Sequence, residues 1–227
     1  MIVTRRRFLA VSGATVALAG VPGFAFAQAS PEAVLQPGVL PDHFLGKADA
    51  PVSLIEYASM TCPHCASFHS DVLPKLKSAY IETGKLRYAL RDFPLDLGAL
   101  AGTMLARCAA GDEARIDTKE SVPPGATERY YMIIGALFEQ QASWATAKNL
   151  EESLFAIVKQ LGFTQDEFKK CLSDEKLYKA IEKERERANK EFEVRGTPTF
   201  FVNGKRAPRG TSTFEEISKL VDAEIKS

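Results

Sequence analysis

Hydrophobic and polar positions follow two periods along the chain, and the first change of period outlines a strand–helix–strand unit. The run P-V-S-L-I-E-Y at 51–57 is apolar and of strand length, and residues 85–93 form a second such run. The amphipathic segment between them contains Pro74, where we expect a kink, and ends at Thr83-Gly84. Because a helix connects the two strands, they are expected to pair in parallel.

Helical periodicity dominates the middle of the chain, from Leu97 to Glu193. The polar stretch 111–127 contains Pro-Pro-Gly and is expected to be a loop. The last helix carries a run of charged residues, which we interpret as a solvated face. The predicted helices lie near 98–109, 128–142, 149–161, 164–172 and 174–193.

The C-terminal part returns to β structure. A strand is predicted at Thr199–Val202, Asn203-Gly204 is a two-residue hairpin signal, and residues 205–207 begin the partner strand. A closing helix is predicted over 213–225. The order of elements is therefore β-α-β, a helical block of about 95 residues, then β-β-α.

The N-terminus has the pattern of an export signal. The segment T-R-R-R-F-L at 4–9 precedes an uncharged apolar run that contains A-F-A at 25–27, a small-x-small cleavage site. The arginines resemble the twin-arginine export consensus, and the weakly apolar run suits that route. We expect residues 1–27 to be removed. A general secretory signal and an uncleaved anchor remain alternatives, although Pro22 and Gly23 disfavour an anchor.

Composition adds the compartment and excludes one class of partner. The mature part has 200 residues, enough for one large domain or a domain with an insertion, and it carries 26 basic against 29 acidic residues. It contains no basic patch interleaved with aromatic residues, so we expect no nucleic-acid partner. Export leads to the periplasm, an oxidising space where disulfides persist.

The strongest chemical signal is the tetrad Cys62-Pro63-His64-Cys65, because one helical turn brings two cysteines at this spacing together. Pro63 suits the first position of a helix. Cys62 then lies at the helix start, where free N–H groups and the helix dipole stabilise a thiolate, and a protonated His64 adds to this. A stabilised thiolate leaves easily, so the disulfide form is an oxidant.

Three other interpretations of the tetrad are weaker. A zinc site needs two further ligands, and only His69 is near in sequence. Haem attachment needs His directly after the second cysteine, where Ala66 stands. A purely structural cysteine pair is the third. We expect neither a metal nor a cofactor.

Two segments resemble the DsbA-like periplasmic thiol–disulfide oxidoreductases of the thioredoxin superfamily. They are I-E-Y-A-S-M-T-C-P-H-C at 55–65 and G-T-P-T-F-F-V-N-G-K at 196–205. The resemblance implies an α/β thioredoxin fold with a large inserted helical domain. Its parts would be an extended N-terminal segment at 28–50, a thioredoxin-like domain at 51–96 and 194–227, and a helical insertion at 97–193.

The same resemblance assigns roles to three residues outside the tetrad. It implies a cis peptide bond between Thr197 and Pro198 that faces the redox pair, with the Thr197 backbone available to a substrate strand; a trans bond is the alternative. It also implies that Glu56 lies under the site and helps to move the proton of Cys65. The alternative is an exposed Glu56 at a sheet edge with no role.

The resemblance further implies the reaction and the partners. A substrate thiolate would attack an exposed Cys62 sulfur, and the more buried Cys65 would be the resolving thiol. The substrates would be unfolded or partly folded extracytoplasmic proteins, and a membrane quinone-linked thiol oxidase would restore the disulfide. We expect a monomer. Thr197 stands where the best known oxidase of the family has Val, and Thr is common there in isomerases and reductases.

The direction of exchange therefore stays open. The alternatives to an oxidase are an isomerase or reductase that is kept reduced, and a peptide-binding protein whose cysteines serve only structure. The second pair, Cys108 and Cys171, lies on apolar faces of predicted helices, and some family members carry a second disulfide in the helical block. We expect these two to pair, with two separate buried thiols as the alternative. His43 and His69 are expected to have no chemical role, and Trp144 to pack in the helical block.

Overall fold

A five-stranded mixed sheet lies at the centre of the computed structural model, which describes residues 30–118 and 120–226. The export signal expected at 1–27 lies outside the described residues. The strand order is β1-β3-β2-β4-β5. The strands are β1 (Phe44–Leu45), β2 (Val52–Ala58), β3 (Leu86–Asp92), β4 (Thr199–Val202) and β5 (Lys205–Arg206).

Helices account for most of the remaining described chain. In chain order they are α1 (Pro31–Leu35), α2 (Pro63–Ser67), α3 (Leu73–Leu76), α4 (Leu97–Ala110), α5 (Ala126–Glu139), α6 (Gln141–Trp144), α7 (Leu150–Lys159), α8 (Gln165–Leu172), α9 (Glu175–Glu191) and α10 (Phe214–Ile225). Two π-helical turns, Phe68–Val72 and Lys77–Ile81, flank α3, and a short 3₁₀ turn, Asp112–Ala114, follows α4. None of the helices within 30–118 and 120–226 is both long and apolar enough to cross a bilayer.

The register of the sheet places β2 in the middle. It pairs in parallel with β3, from Val52 opposite Leu86 to Ala58 opposite Asp92, and antiparallel with β4. All seven residues of β2 are buried, as expected of a central strand that is covered on both faces. The predicted parallel pair and the α/β thioredoxin fold with a helical insertion are confirmed.

The N-terminal segment departs from the extended conformation expected at 28–50. Residues Pro31–Leu35 form α1, because Ser30 caps it by accepting from the Ala33 N–H and Pro31 suits its first position. Phe44–Leu45 forms β1, which pairs antiparallel with β3 at the sheet edge. The segment is therefore part of the folded unit.

The helical stretch after the tetrad accommodates Pro74 by widening. The kink expected there takes the form of a π-helical turn, in which the Leu73 N–H donates to the Phe68 carbonyl. Pro74 follows directly, in the first turn of α3. Proline has no N–H to donate to the preceding turn, so a wider turn before it loses little.

The first helix of the middle part of the chain begins and ends at recognisable capping residues. Asp96 caps α4 through the Ala99 N–H, and Gly111, with φ +74°, ends it. The helix predicted at 128–142 is divided at Gln140 into α5 and α6. Trp144 is fully buried in the helical block, as predicted, and its indole N–H donates to the Leu137 carbonyl at 2.7 Å.

A buried cluster of charged groups joins the insertion to the sheet. Arg107 of α4 contacts Asp92 at the end of β3 at 2.7 Å and Asp112 at 2.9 Å. His43 is fully buried, stacks on Tyr130 and lies 2.9 Å from the same Asp112 carboxylate. We expected no chemical role for His43, and the structure places it in this buried charged cluster.

Candidate active site

The tetrad lies where β2 gives way to α2. Cys62 is the N-cap residue of α2 and Pro63 its first residue. The Cys62 N–H donates to the Ser59 carbonyl at 3.0 Å, and the Cys62 carbonyl accepts from the Ala66 N–H at 3.1 Å. Both cysteines are free thiols. Cys62 is only 6% exposed and Cys65 0%, so the expected order of burial holds, but Cys62 is far less open than expected.

The environment of Cys62 stabilises its thiolate. Its pKa is lowered from the usual range to about 5. The largest cause is a hydrogen bond from the Cys65 thiol, which outweighs the opposing effect of burial, and the side chain of Thr197 adds to it. The backbone N–H groups of Cys65 and His64 contribute further, as expected at a helix start. His64 thus acts through its backbone, and its side chain is exposed.

The environment of Cys65 has the opposite effect. Burial raises the pKa of the Cys65 thiol well above its usual range, and the hydrogen bond to Cys62 and the charge of Glu56 raise it further. The two thiols lie one helical turn apart but differ in acidity: Cys62 ionises readily and Cys65 does not. Cys62 is therefore suited to be the nucleophile and leaving group, and Cys65 to be the thiol that retains its proton.

Thr197 and Pro198 lie directly against the redox pair. The peptide bond between them is cis, and the Cys62 thiol donates to the Thr197 carbonyl at 3.3 Å. The Thr197 hydroxyl is buried and has no hydrogen-bond partner among the described residues while Cys62 is a thiol. A Cys62 thiolate can accept a hydrogen bond from that hydroxyl, which explains the contribution of this side chain to the lowered pKa of Cys62.

Glu56 is buried in the central strand, which excludes the edge-exposed alternative. It lies between Leu90 of β3 and Phe200 of β4 in the sheet register and is 0% exposed. Its Oε2 accepts a short hydrogen bond from the Tyr88 hydroxyl, while Oε1 has no partner among the described side chains and backbone. The charge of Glu56 acts on the Cys65 thiol, and a carboxyl with a free oxygen in its neighbourhood can exchange a proton with it.

His69 belongs to the same group, although the sequence assigned it no role. Its Nε2 lies 3.1 Å from the Tyr88 hydroxyl and 3.4 Å from Glu56 Oε2. The His69 side chain is 7% exposed, so it connects the buried carboxyl to the surface. His69 lies seven positions after Cys62, two helical turns along the stretch that begins with the tetrad. The spacing from Cys62 was a sequence signal for placing His69 near the site. Its contact with Tyr88 was not, because Tyr88 lies in β3, a distant part of the sequence.

Side chains at the start of α4 and in α6 form hydrogen bonds with the active-site loop. The Gln141 side-chain amide donates to the carbonyls of Met60 and Cys62, at 2.8 and 3.0 Å. The Thr61 hydroxyl donates to Asp96 Oδ2 at 2.7 Å. Neither contact follows from a motif, because the partners are 35 and 79 to 81 positions apart.

The second cysteine pair is bonded. Cys108 of α4 and Cys171 of α8 form a disulfide, with their Cα atoms 6.1 Å apart. The bridge therefore joins two helices of the insertion. Across the described residues, no group of three or more His, Cys, Asp or Glu side chains is arranged to hold a metal ion.

A groove opens beside the redox pair. Its volume is about 460 Å³, and His64, Thr197 and Pro198 are among the residues that line it. The rest of its wall is formed by residues 195–196, 199–200 and 206–212.

Comparison with known proteins places this site in a family. A family model described as thioredoxin matches residues 39–223, most of the chain. The chain belongs to the thioredoxin family. The crystal structure of Wolbachia pipientis alpha-DsbA1 has a TM-score of 0.72 and 30% sequence identity, and the match covers 87% of this chain and 96% of that one. The expected likeness to the DsbA-like branch is confirmed.

Two curated relatives of this thioredoxin-family chain have names that refer to disulfide chemistry. A Rickettsia bellii protein named "Putative protein-disulfide oxidoreductase" is 32% identical over 185 residues, which cover 82% of this chain and 65% of that protein. Disulfide bond formation protein D of Bacillus subtilis is 26% identical, over 84% of this chain and 80% of that one. The chain thus spans less than two thirds of the length of the rickettsial relative.

Proposed function

We propose that this DsbA-like protein is an exported thiol:disulfide oxidoreductase that introduces disulfide bonds into extracytoplasmic proteins. The proposal rests on two pKa values that are shifted in opposite directions: the pKa of Cys62 is lowered to about 5, and that of Cys65 is raised. A stabilised Cys62 thiolate favours the reduced form of the protein. The Cys62–Cys65 disulfide is therefore readily transferred to a substrate.

In the first step, a substrate thiolate attacks Cys62 Sγ of the oxidised protein. A substrate–Cys62 disulfide forms, the Cys62–Cys65 bond breaks, and its electron pair leaves on Cys65. Because the pKa of Cys65 is raised, the new thiolate takes up a proton. Glu56, one oxygen of which has no partner in the described part of the chain, relays that proton, and its contacts with Tyr88 and His69 connect it to the surface.

In the second step, another thiolate of the substrate attacks the substrate sulfur of the mixed disulfide. The substrate disulfide forms and Cys62 leaves as a thiolate, which the Cys65 thiol and the Thr197 hydroxyl stabilise. Two substrate thiols are oxidised, and Cys62 and Cys65 are both reduced. The Thr197 backbone, which lines the groove, can pair with an extended substrate strand during both steps.

The site needs a partner that restores its disulfide. By likeness to the DsbA family we assign this role to a membrane quinone-linked thiol oxidase, and we place the protein in the periplasm as a monomer. The N-terminal pattern supports export by the twin-arginine route. Replacing Arg5 and Arg6 by Lys tests that route: export should fail, and unchanged export would point to the general secretory pathway.

A second candidate function is isomerase or reductase activity, and the observation that favours it is Thr197. Its hydroxyl lies against the redox pair and has no hydrogen-bond partner among the described residues, so it can hold a thiolate or a substrate backbone and slow product release. A protein with that role would be kept reduced by a different membrane partner. A third candidate, peptide binding without redox chemistry, is disfavoured by the pKa values of the two cysteines.

The experiment that separates these functions is acid-quenched alkylation of the protein in its own cells, followed by intact mass measurement. A Cys62–Cys65 disulfide at steady state supports the oxidase, while two free thiols at steady state overturn it in favour of an isomerase or reductase. A Cys62→Ala variant is the control. If it supports the same binding to unfolded proteins and the same cellular function, the peptide-binding role replaces both.

A further inference from the structure

The groove beside the redox pair is basic. Three arginines line it, Arg195, Arg206 and Arg209, and all three are exposed. None of its lining residues is Asp or Glu. The chain as a whole has 29 basic and 29 acidic residues, so this positive charge is a local feature of the groove and not a property of the whole protein.

The three arginines are not neutralised from within the protein. None of them forms an ion pair with a carboxylate in the part of the chain that the structure describes. The pKa of Arg206 is lowered, first by burial and then by the charges of Arg209 and Arg195, while Glu193 opposes this. Groups of like charge that have no ion-paired carboxylate favour an anionic ligand.

Arg206 has a fixed position within this group. Its Nη1 donates to the carbonyls of Phe192 and Glu193, each at 3.0 Å, and its guanidinium lies 5.6 Å from the centre of the Phe201 ring. Arg195 and Arg209 are free of such contacts among the described residues, so their guanidinium groups remain available to a ligand. Planar guanidinium groups bind carboxylates through paired hydrogen bonds.

The position of the groove next to Cys62 indicates which class of ligand it binds. Thr197 forms part of its wall, and the Thr197 carbonyl lies 3.3 Å from Cys62 Sγ. A polypeptide whose sulfur reaches Cys62 is therefore brought next to a wall of the groove. An extended chain advances about 3.3 Å per residue, so side chains a few positions from the reacting cysteine enter it.

We propose that this groove is a substrate subsite that selects polypeptides with Asp or Glu within a few residues of the reacting cysteine. The inference rests on the proposed thiol–disulfide exchange and adds a substrate class to it. Arg195 and Arg209 bind the carboxylates, and Arg206 supplies a fixed positive charge behind them. The attraction acts on encounter and binding, because no arginine takes part in the transfer of the disulfide.

The test uses the oxidised mature protein and three dithiol peptides that are identical except at two positions on each side of one cysteine. These positions carry Asp, Asn or Lys. The measured quantity is kcat/KM for peptide oxidation, expressed as the ratio of the Asp to the Asn peptide within each variant. We expect the order Asp, Asn, Lys, with differences that shrink at high salt.

Variants locate the effect in the groove. Arg195→Gln and Arg209→Gln should each lower the Asp to Asn ratio about threefold. The double variant Arg195→Glu, Arg209→Glu should reverse the preference and favour the Lys peptide. Lys159→Gln removes the same charge from an exposed position of α7, outside the groove, and should leave the ratio unchanged.

Oxidation of dithiothreitol, an uncharged dithiol, by the wild-type protein separates two kinds of failure. If dithiothreitol is not oxidised, the proposed function itself is wrong. If dithiothreitol is oxidised while the three peptides react alike, or while the Lys159 variant changes the ratio as much as the arginine variants, only the subsite is overturned. The wild-type peptide series decides this even where a variant fails to fold.

Discussion

At the scale of single residues, environment alone makes Cys62 and Cys65 different. In the folded reduced protein the pKa of Cys62 is about 5, whereas an unfolded chain has a thiol pKa of about 8.5. Such a lowered pKa stabilises the reduced fold fully above the unfolded pKa, and the contribution is lost as pH falls towards 5. The raised pKa of Cys65 has no effect on stability in this pH range, since the Cys65 thiol is protonated below about pH 8 in both the folded and the unfolded protein.

The prediction is that the reduced form is more stable than the oxidised form at pH 7, and that the advantage disappears as pH falls to about 5. Urea unfolding of both forms across this range measures it.

Thr197→Val removes the hydroxyl that stabilises the thiolate. The midpoint of the 240 nm thiolate absorbance should then move above pH 5. An unchanged midpoint would show that Thr197 acts only through its backbone.

Glu56 allows a second prediction at this scale, because its two roles have opposite effects. As a charge it raises the pKa of Cys65 and makes it a poorer leaving group; as a proton relay it assists its departure. We expect the relay to dominate, so Glu56→Gln should slow formation of the mixed disulfide, by on the order of 10²-fold. Stopped-flow measurement with a single-cysteine peptide checks this.

The matched control is Glu184→Gln, which changes another buried carboxyl, bonded to the Val39 N–H and distant in sequence from the tetrad. It should leave the rate of mixed disulfide formation as it is. A faster reaction in Glu56→Gln would mean that Glu56 acts only as a negative charge.

At the scale of elements, the hairpin between β4 and β5 shows how a short motif becomes a fixed contact. Asn203 and Gly204 have φ values of +46° and +77°, as the Asn-Gly signal predicts. A Cβ added to Gly204 would lie 2.1 Å from the Pro31 carbonyl oxygen. The turn is thus pressed against the backbone of α1, which no sequence motif indicates.

Gly204→Ala should therefore lower the free energy of unfolding by about 3 kcal/mol or more, from backbone strain and the clash together. Gly210→Ala is the matched control, because Gly210 also has a positive φ, +86°, but no atom of residues 30–118 or 120–226 lies within 4 Å of its added Cβ. It should cost only about 1 kcal/mol. Equal losses in urea unfolding would mean that α1 moves away without cost.

At the scale of the whole molecule, the sequence predicts what depends on local pattern and fails where distant segments meet. The periodicity located the strands and most of the helices, and the tetrad and the segment around Pro198 were recognisable as motifs. The sequence did not reveal the buried charged cluster of His43, Asp112 and Arg107 or the contact of Gln141, because each depends on side chains brought together by the fold. The charged cluster joins the insertion to the sheet, and the Gln141 contact joins it to the active-site loop.

Gln141 shows what that connection does. Its amide supplies the donor for two backbone carbonyls, those of Met60 and Cys62, on either side of the residue that precedes the redox pair. Without it, both carbonyls lie buried with one donor fewer, and the loop that presents Cys62 loses its support from the insertion. A buried acceptor left without a partner costs about 1–3 kcal/mol.

Gln141→Ala should accordingly lower the free energy of unfolding by about 2 kcal/mol and broaden the range of Cys62 conformations, seen as faster hydrogen exchange at the amides of α2. Gln160→Ala removes the same side chain from an exposed position of the insertion, where the amide donates, within the described part of the chain, to the Ala156 carbonyl alone. It should change neither quantity beyond about 0.5 kcal/mol. If both variants behave alike, the insertion covers the site without positioning it, and the Cys62 loop is held by the thioredoxin-like domain alone.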